Sequence, residues 1–264
     1  MSPTRSRATL LTYHRVSLEG VEPDEGDYAL PSPLFEEQMR LLVHEAWPVI
    51  SLAQLVEGGF ADGAVGLTFD DGCETDATVA LPLLRELGLK AAFFVNPARI
   101  GAPNRLSWDQ LEELVAAGMR IGSHGLDHTL LDGLPTAELE RQLALSKRLL
   151  EERLRIEIDA LSLPGGTGGR RAGEVARQLG YRLVLGSAPG RVREGRLPPL
   201  LPRHAVRSGP GLAGFRAALE QRASFRLVQR STYLAKRAVR AALGQDRYAR
   251  LRESRLPPVK DGLA

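Results

Sequence analysis

Residues 65–95 read VGLTFDDGCETDATVALPLLRELGLKAAFFV, and this stretch decides the fold class. Val65–Phe69 is a short apolar run that ends abruptly in Asp70-Asp71-Gly72. Leu81, Leu83, Leu84 and Leu87 then follow at helical spacing, and Gly88 supplies a C-cap signal. Lys90–Val95 is apolar again. A strand, a helix and a second strand in this order predict neighbouring parallel strands joined by a crossover.

The same alternation extends in both directions. Thr9–Tyr13, Pro48–Ser51, Arg120–Gly122, Asp159–Leu163 and Tyr181–Leu185 are further short apolar runs. Between them lie helical patterns around Phe35–Leu42, from Trp108 to Ala117 behind a Ser107 cap, from Thr136 to Arg155, and from Ala172 to Leu179. Seven candidate strands with covering helices predict an α/β fold, a distorted (β/α)7 barrel. Residues 186–212 are rich in Gly, Pro and Arg and read as loops around Leu200-Leu201, and helical spacing resumes from Gly214 to Leu243. The expected domains are a barrel over 1–220 and a basic amphipathic helical extension over 221–264.

Composition excludes several classes. The 264 residues are 43% hydrophobic and 25% charged, which rules out whole-chain disorder. Cys73 is the sole cysteine, so no intrachain disulfide forms. No run of transmembrane length and no signal-peptide pattern is visible, so the expected location is cytoplasmic, peripheral at the inner membrane face. Residues 221–264 carry eleven Lys/Arg against three Asp/Glu, a net of +8. With a total of +3, residues 1–220 sum to −5. A basic tail on an acidic body points to an anionic partner; membrane lipid is the partner expected here, and no nucleic acid is expected.

In such barrels the chemistry sits at the C-terminal strand ends. His14 follows the first run, Asp70-Asp71 the third, Ser123-His124 the fifth with His128 four residues on, and Pro164-Gly165-Gly166 the sixth. Two histidines and a carboxylate make a catalytic Zn²⁺ set with open positions for water and substrate. His124 and His128 share a side if the backbone there is helical. Of the adjacent aspartates, one can reach a metal while the other reaches a bound water.

Thr68-Phe69-Asp70-Asp71-Gly72 and Ser123-His124-Gly125-Leu126-Asp127-His128 resemble the first two signature motifs of the polysaccharide deacetylase family, also called the NodB-homology or carbohydrate esterase family 4 group. The likeness runs from about Leu11 to about Val206 and includes Tyr13-His14-Arg15-Val16, Ser107–Leu111 and Leu179-Gly180-Tyr181. The resemblance implies a metal-dependent hydrolase that removes N-acetyl groups from an amino sugar in a polysaccharide, an oligosaccharide or a lipid- or nucleotide-linked precursor. Asp71, His124 and His128 would be the metal ligands, for zinc or alternatively cobalt or nickel. Asp70 would be the base, and a backbone N–H near Cys73 would help to hold the oxyanion. Phe69, Gly72, Cys73, Pro164, Gly165 and Arg203 would line the substrate site.

Two motifs depart from the family pattern. The usual Arg-x-Pro-x-Gly is Ser162-Leu163-Pro164-Gly165-Gly166, with serine where the base is normally braced by arginine. Arg203 either replaces that brace or binds substrate charge. The late Leu-x-x-His motif is matched by Leu201-Pro202-Arg203-His204 in a proline-broken context. Both departures resemble the exopolysaccharide branch, which acts on polymers such as poly-N-acetylglucosamine, and there an early Tyr-His segment supplies the acid. His14 is therefore the expected acid and His204 the second candidate. Two other readings use the same residues: a deacylase of a small N-acylated metabolite, and a sugar-binding relic without turnover.

Overall fold

The computed structural model describes residues 6–18, 28–166 and 169–243. Residues 1–5, 19–27 and 167–168 and the end of the basic tail, 244–264, lie outside the described residues. The strands are β1 (Arg7–Tyr13), β2 (Arg15–Ser17), β3 (Ala29–Pro31), β4 (Ala64–Asp70), β5 (Ala91–Val95), β6 (Arg120–Ser123), β7 (Ala160–Ser162), β8 (Leu183–Leu185), β9 (Val192–Arg193) and β10 (His204–Ala205). The helices are α1 (Ser32–His44), α2 (Leu52–Glu57), α3 (Leu81–Glu86), α4 (Trp108–Ala116), α5 (Thr136–Leu154), α6 (Gly169–Gln178), α7 (Gly211–Leu219) and α8 (Ala223–Leu243). The main sheet runs β10-β1-β4-β5-β6-β7-β8, parallel throughout, with β9 antiparallel on β1. The expected α/β barrel class is thus observed as a curled parallel sheet clothed by helices.

The curl is completed by a segment that reads as loop in the sequence. Leu201 pairs with Leu185 at the end of β8, and three residues later His204 pairs with Leu11 of β1. Residues 201–205 therefore bridge the two edges of the curled sheet. Pro202 interrupts the ladder, which is why the segment forms a single bridge to β8 and a separate two-residue strand on β1 instead of one continuous strand. The expected strand at Pro48–Ser51 is the converse error. It makes only the single bridge Val49 to Val65, with Pro48 at its head.

Residues alternate between two cores, as the two-residue period of a strand requires. Ala8, Leu10, Ala64, Ala92, Phe94, Ala160, Leu183, Leu185 and Leu201 fill the inside of the curl. Leu11, Tyr13, Val65, Leu67, Phe69, Phe93, Val95, Ile121, Leu161 and Val184 pack outward against the helices. Gly122 shows how tight the interior is: a Cβ there would lie 2.5 Å from the Phe94 ring and 2.9 Å from the Ala160 carbonyl oxygen. The long helical pattern near the C-terminus is two helices, broken where Gln221 adopts φ +54.

Candidate active site

Extending the inward parity of each strand to its C-terminal end produces the site. Thr68 and Asp70 continue Ala64 and Gly66. Ser162 continues Ala160, His124 continues Gly122, Arg203 continues Leu201, and His14 continues Leu10 and Thr12. The strands therefore aim these side chains at one region.

Asp70 is buried and enclosed by donors. Arg203 Nη1 and Nη2 donate to its two oxygens at 2.9 and 2.8 Å, and Ser162 Oγ donates at 2.9 Å. Arg203 is itself only 4% exposed. Its remaining N–H groups go to Thr68 Oγ1, Ser162 Oγ and the Gly186 carbonyl. All five guanidinium donors are thus spent within the protein. Burial pushes the Asp70 carboxyl up, but the Arg203, His124 and His14 charges more than offset it and hold the group below its ordinary value.

Asp71 leaves the strand in the left-handed region, φ +81, which turns its side chain away from that of Asp70. Its Oδ1 lies 3.3 Å from His124 Nε2 and 3.2 Å from His128 Nε2. The three side chains offer ligand atoms within 4.8 Å of one another. His128 also has positive φ, +72, and it follows Gly125 at φ +75. The two histidines meet through a loop, not along a helix as the i, i+4 reading supposes. Asn96 Nδ2 holds that loop through the His124 and Gly125 carbonyls. Gln142 Oε1 accepts from Leu126 N, and Gln142 Nε2 donates to Asp127.

These residues fit a metal ion. His124 Nδ1 faces the Ser162 carbonyl oxygen at 2.9 Å, an acceptor only, so Nδ1 carries a proton and donates. In the neutral ring the Nε2 lone pair then points at a buried carboxylate oxygen, Asp71 Oδ1, that has no hydrogen-bond partner. A lone pair and a carboxylate at that distance repel unless a cation or a proton lies between them. Burial raises the Asp71 carboxyl, and positive charge on His128 and His124 outweighs it, leaving the group well below its ordinary value when the rings are protonated.

His14 is half-buried, with Nδ1 enclosed and unbonded and its ring 4.7 Å from that of Tyr28. Burial lowers its basicity and outweighs the Asp71 and Asp70 charges, which raise it, so the ring sits below its ordinary value. His204 is elsewhere. It has the opposite parity to Arg203, its Nε2 bonds the Gly190 carbonyl at 2.9 Å, and its ring packs on Phe225. As a second acid candidate it is corrected by that geometry.

One expected substrate contact is corrected, and of the two readings of Arg203 the hydrogen bonds agree with the brace. Phe69 is fully buried on the helix side, between the Tyr13 and Phe93 rings. Arg203 is the brace of Asp70 and has no donor left for a ligand. Gly72 and Cys73 form the turn beside Asp71, where Gly72 O accepts from Leu106 N and Arg105 Nη1 donates to Asp71 O. Pro164 lies against Gly125, and Gly165 at φ +63 turns the chain away from β7.

Residues 57–184 match the sequence profile of the polysaccharide deacetylase family. Over that span, just under half of the chain, it is similar to that family. A polysaccharide deacetylase-named protein of Bacillus subtilis, YxkH, is 27% identical over 214 residues, covering 79% of this chain and 74% of that one. Among solved structures, the Streptococcus pyogenes deacetylase PplD superposes with TM-score 0.73 at 21% identity, over 82% of this chain and 99% of that one. IcaB from Ammonifex degensii superposes with TM-score 0.68 at 23% identity, over 84% and 97%. These structures share the fold.

The polysaccharide deacetylase motifs leave Asp76 unannounced. It opens a π-helical turn, Asp76–Ala80, just before α3. It is fully buried, and both carboxyl oxygens lack a hydrogen-bond partner. Burial and the nearby Asp71 charge push it well above the ordinary carboxylate range. A third aspartate in the run Asp70–Asp76 is the sequence signal that could have flagged it.

Proposed function

We propose that this chain is a metal-dependent N-deacetylase of amino sugars, with Asp70 as base and Asp71, His124 and His128 as metal ligands. One observation carries the reading: a buried, arginine-braced carboxylate stands beside a separate buried carboxylate faced by two imidazoles. The first is held ionised to accept a proton, and the second belongs to a three-ligand set with open positions. A bound divalent ion, zinc by this donor set, would polarise the acetamide carbonyl and acidify a water.

The chain's residues then divide the proton traffic. Asp70 takes a proton from the attacking water, with Arg203 and Ser162 fixing the carboxylate in place. The tetrahedral carbon collapses as the C–N bond breaks, and the nitrogen gains a proton to leave as a neutral amine. His14 is the donor we assign, because it lies on the inward face, feels both aspartate charges and has a ring nitrogen with no bond inside the protein. A backbone N–H near Cys73 is the matching oxyanion donor.

The test is acetate release from N-acetylglucosamine oligomers by the zinc-loaded protein, with His14→Gln and His204→Gln in parallel. His14→Gln should lower kcat about 100-fold or more with metal content unchanged. His204→Gln should alter thermal stability and leave kcat within a few-fold. The reverse ranking would move the acid role to His204. Acetate released from small N-acetylated metabolites but from no sugar would favour the metabolite reading.

A further inference from the structure

The described residues expose eight large apolar side chains, and five of them lie on one helix, α8: Leu227, Val228, Leu234, Val239 and Leu243. Their exposures are 69, 60, 50, 45 and 36%. At the start of α8, Phe225 packs on His204 and on the core. The helix contains five Lys/Arg and no Asp/Glu.

The arrangement around the helix is ordered. At about 100° per residue, Leu227, Leu234, Ala238, Ala242, Ala235, Val228 and Val239 fall in one arc of about 140°. Arg226, Arg230 and Arg237 form a row along one edge of that arc, within about 40° of one another. An exposed apolar arc edged by arginines suits the headgroup boundary of an anionic bilayer. There the apolar side chains enter the acyl boundary and the arginines reach lipid phosphates. No helix among the described residues is long and apolar enough to cross a membrane, so the contact lies along the surface. A second copy is a poorer occupant, because an antiparallel two-fold contact through this face would place two unopposed arginine rows on the same side.

We infer that α8 docks the protein on an anionic lipid surface through Leu227, Val228, Leu234 and Val239, with Arg226, Arg230 and Arg237 supplying the charge selectivity. This inference does not depend on the deacetylase reading.

The experiment is co-sedimentation of the full chain with sucrose-loaded vesicles, phosphatidylcholine with phosphatidylglycerol against phosphatidylcholine alone. Binding should require the anionic lipid and weaken as salt rises. Each cation near an anionic surface is worth about fivefold, so Arg226→Ala/Arg230→Ala/Arg237→Ala should bind about 100-fold more weakly. Leu227→Ser/Leu234→Ser should lose about tenfold or more. Wild-type protein that ignores the anionic lipid would overturn the inference without any variant. So would an arginine triple variant that binds as wild type does. A wild-type dimer in sedimentation velocity that Leu227→Ser/Leu234→Ser dissociates would reassign the face to a second copy.

Discussion

Asp70→Asn is expected to lower kcat for acetate release by about 10³-fold while the metal stays bound. Asparagine keeps the size of the side chain and one acceptor for Arg203, but it cannot take a proton from water. The proposed metal ligands, Asp71, His124 and His128, are untouched, so metal content by mass spectrometry should match wild type. A drop in rate accompanied by lost metal would place Asp70 in the ligand set instead. A rate within tenfold of wild type would remove it from the proton path altogether.

Arg203→Ala should give the largest loss of stability. Arg203 and Asp70 form a buried pair at 2.8 Å, and removing one partner leaves the other as an uncompensated buried charge. Such losses cost about 3–5 kcal/mol. For a protein of this size that is a fall in Tm of about 10 °C. The pH dependence follows from the same geometry. Arg203 opposes the effect of burial and keeps Asp70 below its ordinary value. Without it burial prevails, the carboxyl titrates at higher pH, and the base is ionised only as pH rises. The acid limb of kcat/KM should therefore move upward, with activity lost more severely at pH 6 than at pH 8. An unmoved acid limb would show that Arg203 is structural only. The double variant Asp70→Asn/Arg203→Met separates the two roles, because it removes both charges. It should recover much of the lost Tm and none of the rate.

Much of this site is legible in the sequence because strands impose parity. Asp70 follows an apolar run directly, and His124 does the same, so their places at strand ends can be read without coordinates. The same rule, applied to Leu201, would have separated Arg203 from His204. It fails in practice because Pro198, Pro199 and Pro202 mask the segment as a strand, and only the pairings of Leu201 to Leu185 and His204 to Leu11 identify it. Phe69 is a similar case: adjacent to Asp70 in sequence, it faces the opposite core. The approach of His128 to Asp71 rests on positive φ at Gly125 and His128. A four-residue spacing cannot distinguish that loop from a helix turn. Ser162 reads as the loss of an arginine, yet its hydroxyl joins the brace that Arg203 supplies from forty-one residues later in the chain. Such a substitution across distant segments leaves no local pattern. Asp76 leaves only a weak signal, a third aspartate in the run Asp70–Asp76, since a buried unpaired carboxyl looks like any acid near a helix start.

The account rests on the ability of Asp71, His124 and His128 to hold one ion. The most direct measurement is the metal content of purified wild-type protein and of His124→Ala, before and after chelation and zinc add-back. About one zinc per chain in wild type, and none retained by His124→Ala, is the expected result. A wild-type protein that takes up no divalent ion after add-back would contradict the hydrolase account and leave the fold as a sugar-binding relic.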